Sequence, residues 1–229
     1  MAPQRAADIV AGYSPDLITV PCISPFPDPG LVNESISRAD SVIIGCGVVR
    51  TAAAHRALLN IIEICRLPMV IDAESLHALA SRPKAVQGRD VLLTPNAGEY
   101  QVLTGKLWPK SRKERVDALL SLAKRYRSTV IVKGAEDFIS DGTRVRIDRA
   151  GSPYMTKGGY GDLLAGVAGA LLARGQNPFD AASAAAFIIG RAGEIASRKW
   201  GEGTLASDLL QVLPAVISHE LGRRRQTSF

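Results

Sequence analysis

The sequence contains little cysteine, and its three cysteines form no recognisable set of metal ligands. Cys22, Cys46 and Cys65 are odd in number and show neither a CxxC pair nor another metal-ligand spacing. All three lie in or near apolar segments. We therefore expect buried thiols in a reducing cytoplasm rather than a disulfide framework or a zinc site.

A long hydrophobic run is also missing. The longest apolar stretch, residues 181–189, is alanine-rich and too short to span a bilayer, and the N-terminus has no charged region followed by a long apolar run. These absences argue against a membrane span and a secretory leader. The prediction is a soluble, cytoplasmic protein with no membrane partner.

Acidic residues are the minority charge. The chain has 28 Lys and Arg against 22 Asp and Glu, a net charge of +6 and a pI near 9.4. Basic residues cluster at 110–115, 124–127 and 223–225, but without interleaved aromatic residues or a nucleic-acid motif. Because such runs usually form solvated helix faces, we predict no nucleic-acid partner. A basic field would also attract a small substrate that carries phosphate.

Internal repeats, low-complexity tracts and interdomain linkers are absent from the sequence. With 229 residues, of which 46% are hydrophobic, the chain can bury a substantial core. We therefore expect one compact domain covering residues 1–229.

Short β-rich runs alternate with helical patterns, which is typical of parallel strands joined by crossover helices. Residues 138–147 differ, because two β-prone runs flank Asp141 and Gly142, a pair whose tolerance of positive φ favours a hairpin. The predicted strands cover residues 16–20, 41–46, 68–72, 90–94 and 129–133, and the predicted helices cover residues 51–66, 111–127, 162–174, 178–198 and 207–221. The predicted fold is α/β, with a mostly parallel sheet flanked by helices on both faces, an antiparallel hairpin at one edge and a helical C-terminal third.

Ligands of open α/β sheets bind beyond the carboxyl ends of the strands, so the residues just after each predicted strand are candidates for the site. These positions hold Gly45, Gly47, Asp72, Asn96, Glu99, Lys133 and Gly134.

A glycine-rich loop precedes the helix predicted to begin near Asp162. Gly158, Gly159 and Gly161 let backbone N–H groups approach a phosphate, and the helix adds the positive end of its dipole. Asp162 would lie beside that phosphate and accept a proton from a substrate hydroxyl. An ordinary helix N-cap explains the same aspartate, because aspartate is favoured at that position. From the loop alone, both interpretations are open.

Five segments, in order along the chain, resemble the motifs of one family. They are VIIGCG at 42–47, VIDAESL at 70–76, TPNAGEY at 94–100 with LTG at 103–105, KGA at 133–135, and SPYMTKGGYGDLLAG at 152–166. Together they resemble the ADP- or ATP-dependent NAD(P)H-hydrate dehydratases, a branch of the ribokinase-like superfamily that also contains carbohydrate kinases. Five ordered matches are more specific than any single motif. The resemblance implies a ribokinase-like fold.

The resemblance also implies an activity. Enzymes of this family are lyases that repair the hydrated, inactive form of NADH or NADPH. A nucleotide donates phosphate to the hydroxyl of the hydrate, and elimination of the phosphate restores the dihydronicotinamide. The implied co-substrate is ADP or ATP, and the implied cofactor is Mg²⁺.

Residue roles follow from the resemblance, position by position. Asp162 would be the base and contact the substrate, and Gly47 and Asn96 would face the hydrated cofactor. Glu99 would orient Mg²⁺ through water, since phosphoryl transfer needs a hard cation. The implied nucleotide and phosphate site comprises Lys133, Gly134, Ala135, Glu136, Asp137, Gly158, Gly159 and Gly161.

The chain departs from the family pattern in three places. The family's usual N-terminal strand and loop have no counterpart before Ala2, so we expect an open sheet edge that a second copy of the chain would cover. Asn96 stands where histidine is common, and its spacing from Glu99 is also a metal-phosphate motif of small-molecule kinases. Lys157 and Tyr160 replace small hydroxyl residues, which would change the side-chain contacts to phosphate, and Lys157 would add a charge there.

Two alternatives to the dehydratase remain open. One is an ATP-dependent kinase of a sugar or vitamin precursor, which would need Asp162 equally; the other is an inactive relative that binds nucleotide. Asp72 suits either a ligand contact or the cap of the following helix. For His55, His77 and His219, which are far apart and lie in helical patterns, we expect no catalytic role.

Overall fold

The computed structural model describes the backbone of residues 1–22 and 29–226, and the side chains of residues 1–22 and 30–218. Two short strands, β1 (Ala2–Pro3) and β2 (Pro21–Cys22), pair in parallel. A separate six-stranded sheet has the strands in chain order. These are β3 (Val42–Ile44), β4 (Met69–Ile71), β5 (Val91–Leu93), β6 (Thr129–Val132), β7 (Asp137–Ser140) and β8 (Val145–Asp148). Strands β3 to β6 are parallel and β7 and β8 are antiparallel additions, which confirms the predicted architecture.

Helices connect the parallel strands and form the C-terminal third. They are α1 (Gln4–Tyr13), α2 (Pro29–Ile36), α3 (Ala52–Ile64), α4 (Glu74–Leu79), α5 (Ala97–Thr104), α6 (Arg112–Tyr126), α7 (Tyr160–Ala173), α8 (Pro178–Trp200) and α9 (Ala206–Gln226). Side-chain oxygens of Thr51, Ser111 and Asn177 cap α3, α6 and α8, each accepting a first-turn N–H. In the part of the chain that the structure describes, none of these helices is long and apolar enough to cross a membrane.

The sheet is buried on both faces, which explains why its strands are apolar throughout rather than alternating. On β4, Met69 and Ile71 belong to the core on one face, whereas Val70 belongs to the core on the other. The first core includes residues of α3, α4 and α6, and the second is built mainly from α7 and α8. Because helices cover both faces of the sheet, a ligand can approach these strands at their ends, and ligands of such sheets bind beyond the carboxyl ends.

The predicted hairpin lies between β7 and β8. The Oδ1 atom of Asp141 accepts hydrogen bonds from the N–H groups of Thr143 and Arg144, at 2.9 and 2.8 Å. Gly142 follows with a φ of +95°, a conformation that L side chains rarely adopt. The local sequence therefore specifies this turn by itself.

The strand predicted at residues 16–20 is wrong. The structure has a strand only directly after this run, at Pro21–Cys22, and the side chain of Ile18 is 95% exposed. A β-rich run predicts a strand only where its apolar residues are covered, and those of this run lie at the surface. No bounds were predicted from the sequence for four helices that the structure contains, α1, α2, α4 and α5.

Candidate functional site

The topology brings the loops after β3, β4, β5 and β6 together at the carboxyl edge of the sheet. The Asp72 N–H donates to the carbonyl of Ile44, the last residue of β3, at 3.1 Å. Asn96 forms an isolated parallel bridge with Lys133, whose N–H donates to the Pro95 carbonyl at 2.8 Å. The candidate positions chosen from the sequence therefore share one edge of the molecule.

A buried ion pair lies at the centre of this edge. The Lys133 ammonium donates to Asp72 Oδ1 at 2.7 Å, and the side chains are 19% and 3% exposed. Asp72 therefore does not cap the following helix, whose N-cap position is occupied by Ala73 without a side-chain hydrogen bond. Lys133, at the end of β6, is a partner of Asp72 rather than a solvated strand end.

Cys46 and Asp162 complete a four-residue cluster with this pair, which we call the edge cluster. The Cys46 Sγ atom and carboxylate oxygens of Asp72 and Asp162 all lie within 4.8 Å of one another. Burial, a hydrogen bond to Asp162 and the charge of Asp72 raise the pKa of the Cys46 thiol to about 12. The thiol is therefore protonated at neutral pH, where it acts as a donor and not as a nucleophile.

The edge cluster has the donor types of a cation site, but its charge is already partly balanced. Lys133 supplies an ammonium to Asp72 inside the cluster. Lys133 thus uses Oδ1 of Asp72, one of the oxygens that Cys46, Asp72 and Asp162 could otherwise offer to a metal ion.

The glycine loop leads into α7 two residues earlier than predicted. Gly159 is the N-cap, with a φ of +95°, and the helix begins at Tyr160. Asp162 is therefore in the first helical turn and is not the N-cap, so the simple capping interpretation is wrong. The Asp162 side chain is exposed. It lies in the turn whose N–H groups have no intrahelical acceptor. A carboxylate and the positive end of a helix dipole are thus adjacent.

Two glycines of the loop are closely packed. A Cβ atom at Gly161 would lie 3.2 Å from Lys133 Nζ, and one at Gly159 would lie 2.9 Å from the Cβ of Ala206. Gly158 has open space around it, with no other atom within 4 Å of a Cβ position. Gly161 therefore joins the glycine loop to the edge cluster, while Gly158 leaves room for a ligand.

Lys157 and Tyr160 do not face the space beside the loop. The Lys157 ammonium donates to the backbone carbonyls of Glu202 and Thr204, the latter at 2.9 Å. The Tyr160 hydroxyl donates to the same Thr204 carbonyl at 3.2 Å. Lys157 was expected to add a positive charge beside a bound phosphate. Its ammonium is instead bonded to these backbone carbonyls.

Asn96 and Glu99 form a reciprocal capping box at the start of α5. Asn96 Oδ1 accepts from the Glu99 N–H at 2.9 Å, and Glu99 Oε2 accepts from the Asn96 N–H at 2.8 Å. Helix capping is sufficient to explain the spacing of these two residues. One carboxylate oxygen of Glu99 is used in this way, and the side chain is half-buried.

The acidic side chains after Lys133 stabilise their own loop. Asp137 Oδ1 accepts the Gly134 N–H at 3.0 Å, and Glu136 pairs with Arg112 and Arg149 at 3.2 and 2.9 Å. Burial raises the pKa of Asp137 to about 6. Ala135 and Gly134 are exposed, so backbone groups of this segment are accessible to a ligand. Gly47, another exposed candidate, has a φ of +71°.

A second charged cluster, which sequence reasoning missed, lies beside the first. Glu74 accepts hydrogen bonds from Arg50 at 3.0 Å and contacts His55 Nε2 at 2.5 Å. Burial alone would raise the pKa of Glu74, but the bonds from His55 and Arg50 hold it below its usual value. Ala73, with a φ of +47° and a ψ of −123°, directs Asp72 and Glu74 into these two separate clusters. The sequence carries no short-range signal for these pairings.

These features first define the class of the protein. A mostly parallel sheet with an antiparallel addition, and a glycine loop before a helix at its carboxyl edge, make the chain a ribokinase-like α/β protein. Its structure is similar to that of the ADP/ATP-dependent NAD(P)H-hydrate dehydratase from Bacillus subtilis co-crystallised with ATP/Mg²⁺. The TM-score is 0.75 at 20% identity, over 95% of this chain and 76% of that chain. This likeness shows the shared fold.

Sequence comparison then gives the family. The NAD(P)H-hydrate dehydratase family model matches residues 2–215, so the chain belongs to that family. It is 36% identical over 225 residues to the bifunctional NAD(P)H-hydrate repair enzyme Nnr of Methanothermobacter thermautotrophicus. This alignment covers 94% of this chain and 43% of that relative. It is 34% identical over 222 residues to the ADP-dependent (S)-NAD(P)H-hydrate dehydratase of Cenarchaeum symbiosum, with 94% and 76% covered. The chain thus spans less than half the length of the bifunctional relative.

Proposed function

We propose that this chain dehydrates hydrated NADH or NADPH, using ADP or ATP as the phosphate donor. The observation that carries the proposal is the position of Asp162, which lies in the first turn of α7 directly after the glycine loop and belongs to the edge cluster. Membership of the NAD(P)H-hydrate dehydratase family supports the choice of substrate. The ADP-dependent activity in the name of the Cenarchaeum relative supports the choice of nucleotide.

The first step is phosphoryl transfer to the hydroxyl of the hydrate. Its oxygen attacks the terminal phosphorus of the nucleotide, the P–O bond to the leaving nucleotide breaks, and Asp162 accepts the hydroxyl proton. Backbone N–H groups near Gly158, Gly159 and Gly161 stabilise the charge on the transferring phosphoryl group. The exposed Asp162 carboxylate is accessible to a substrate for this role.

The second step is elimination. The ring C–O bond that now carries the phosphate breaks, phosphate leaves with the electron pair, and the neighbouring ring carbon releases a proton to water as the ring double bond forms. Phosphate is a far better leaving group than hydroxide, which is why the nucleotide is needed. Gly47 and Asn96, both exposed at the rim of the edge, are the residues that we assign to the hydrated cofactor.

The nucleotide is assigned to the segment Lys133, Gly134, Ala135, Glu136 and Asp137. Gly134 and Ala135 offer exposed backbone, while Glu136 and Asp137 hold the loop in shape through the contacts described above. Lys133 fixes this segment to the edge cluster through Asp72.

Mg²⁺ fits the oxygen donors near the same edge. Glu99 is half-buried and uses one carboxylate oxygen, Oε2, in the capping box, and carboxylates are suitable partners for water-coordinated Mg²⁺. A bound Mg²⁺ would neutralise charge on the phosphate oxygens.

The test is a turnover assay with chemically hydrated NADH and NADPH, Mg²⁺ and either ADP or ATP. We expect nucleotide-dependent recovery of the dihydronicotinamide absorbance, with one phosphate released for each molecule repaired. A small-molecule kinase would instead accumulate a stable phosphorylated product. Nucleotide binding without recovery of either cofactor would contradict the proposal.

A further inference from the structure

The glycine loop is attached to the turn between α8 and α9, which we call the α8–α9 turn and define as residues 201–205. Lys157, immediately before the loop, donates to the Glu202 and Thr204 carbonyls of this turn. Tyr160, the first helical residue after Gly159, donates its hydroxyl to the Thr204 carbonyl. Donors on both sides of Gly158 and Gly159 therefore share one backbone acceptor, the Thr204 carbonyl.

The α8–α9 turn is itself held in place. Thr204 is fully buried, and both its N–H and its hydroxyl donate to the Gly201 carbonyl, at 3.1 and 2.6 Å. The Leu205 N–H donates to Asp208 Oδ2 at 2.8 Å. The turn therefore offers a fixed point to which the loop is bonded.

The loop also packs closely against the start of α9. A Cβ atom at Gly159 would lie 2.9 Å from the Cβ of Ala206, so this glycine approaches the turn more closely than any other residue type allows. Tyr160 is buried, and burial raises the pKa of its hydroxyl, which keeps it a donor. Two hydrogen-bonding side chains and one steric contact thus set the position of a short segment that is otherwise rich in glycine.

We propose that Lys157 is a positioning residue, which bonds the glycine loop to the α8–α9 turn and so sets the geometry of the phosphate-binding N–H groups. The proposal rests on the proposed function, because it assigns the glycine loop to phosphate. Glycine-rich segments lose much conformational entropy on ordering, and a loop that is already ordered binds its ligand without that loss. Lys157 acts here through hydrogen bonds to carbonyls and not as a charge beside the phosphate.

Two substitutions distinguish a lysine that donates hydrogen bonds to carbonyls from one that places a charge beside the phosphate. Lys157→Met keeps the length of the side chain and removes all donors, whereas Lys157→Gln is neutral but keeps an amide that donates to carbonyls. We expect the dissociation constant for Mg²⁺-ADP or Mg²⁺-ATP, measured by calorimetry, to rise on the order of 10-fold in Lys157→Met. Lys157→Gln should recover most of this loss.

Tyr160→Phe tests the shared acceptor. Since Lys157 and Tyr160 both bond the Thr204 carbonyl, the double variant should depart from the product of the two single effects on nucleotide affinity. Lys199→Met is the control with the same change of charge, because the Lys199 ammonium lies over the Trp200 ring, 4.5 Å from its centroid. This control should bind nucleotide like the unmodified protein.

Each outcome decides the matter. If Lys157→Gln binds nucleotide as weakly as Lys157→Met, charge is what matters and the proposal is overturned; it is equally overturned if both bind normally. If the unmodified protein binds neither ADP nor ATP, the proposed function fails instead. Amide hydrogen exchange then still tests the attachment, because Lys157→Met must accelerate exchange at residues 158–161, and unchanged protection there overturns it.

Discussion

Asp72 and Lys133 form a buried ion pair whose two residues are 61 positions apart in the sequence. Removing one partner of such a pair leaves the other charge buried without compensation. We expect Lys133→Met to lower the free energy of unfolding by about 3 kcal/mol, measured by urea denaturation. Arg38→Met is the control, because its pair with Glu34 is largely exposed and should contribute less than about 1 kcal/mol. Equal losses in the two variants would contradict the account.

Asp137 gives the protein a specific dependence of stability on pH. Burial raises its pKa from the ordinary value of 3.8 to about 6, so the folded protein holds this proton more tightly than the unfolded chain does. The contribution of Asp137 to the free energy of unfolding therefore falls, by on the order of 2 kcal/mol, as pH rises from about 4 to about 6.

Asp137→Asn should remove that fall, because the amide oxygen still accepts the Gly134 N–H and no longer titrates. The measurement is the unfolding midpoint of both proteins across this pH range. Asp117→Asn, an exposed change on α6, is the control and should keep the slope of the parent protein. An identical slope in Asp137→Asn and its parent would exclude Asp137 as the cause.

At the scale of elements, the junction of β4 and α4 carries local backbone strain. Ala73 has a φ of +47° without being glycine, and such conformations cost on the order of 1–3 kcal/mol. Ala73→Gly should therefore raise the free energy of unfolding by about 1 kcal/mol, whereas Ala118→Gly, within α6, should lower it by about the same amount. Thermal or urea unfolding measures both. A loss of stability in Ala73→Gly would show that the strain is not relieved by glycine.

Helix α7 provides a comparison of two glycines, Gly161 in its first turn and Gly166 in its second. Gly166→Ala meets open space and should stabilise the protein by about 0.5–1 kcal/mol, as alanine does in helices. Gly161→Ala places its methyl group 3.2 Å from Lys133 Nζ, so it should disturb the ion pair with Asp72 and weaken nucleotide binding. Calorimetric titration with ADP or ATP measures the second effect. If both variants gain stability and bind nucleotide equally, the close packing at Gly161 has no functional consequence.

At the scale of the whole molecule, the sequence predicts the parts of the fold that local chemistry determines. Uniformly apolar runs such as Met69–Ile71 identify the buried strands, and Asp141 with Gly142 identifies the hairpin. The run at 16–20 misled the prediction because its burial depends on what lies over it, and the sequence does not show that. Helix starts were harder to place, since α7 begins at Tyr160 through the conformation of Gly159.

The site divides in the same way. The sequence predicts which loops meet, because the carboxyl ends of parallel strands share an edge. It does not predict the partners of the side chains, which are distant along the chain. Lys133 bonds Asp72, and Lys157 bonds the carbonyl of Thr204, 47 residues away. Such pairings depend on how the whole chain packs and not on the local sequence around either residue.

The central claim is that Asp162 is the base of a nucleotide-dependent dehydration. Asp162→Asn removes the proton acceptor with little change in volume, so the measurement is its turnover of hydrated NADH and NADPH, alongside its affinity for ADP and ATP. We predict that turnover falls by a factor on the order of 10² or more while nucleotide affinity and stability are kept. Turnover close to that of the unmodified protein would contradict the account.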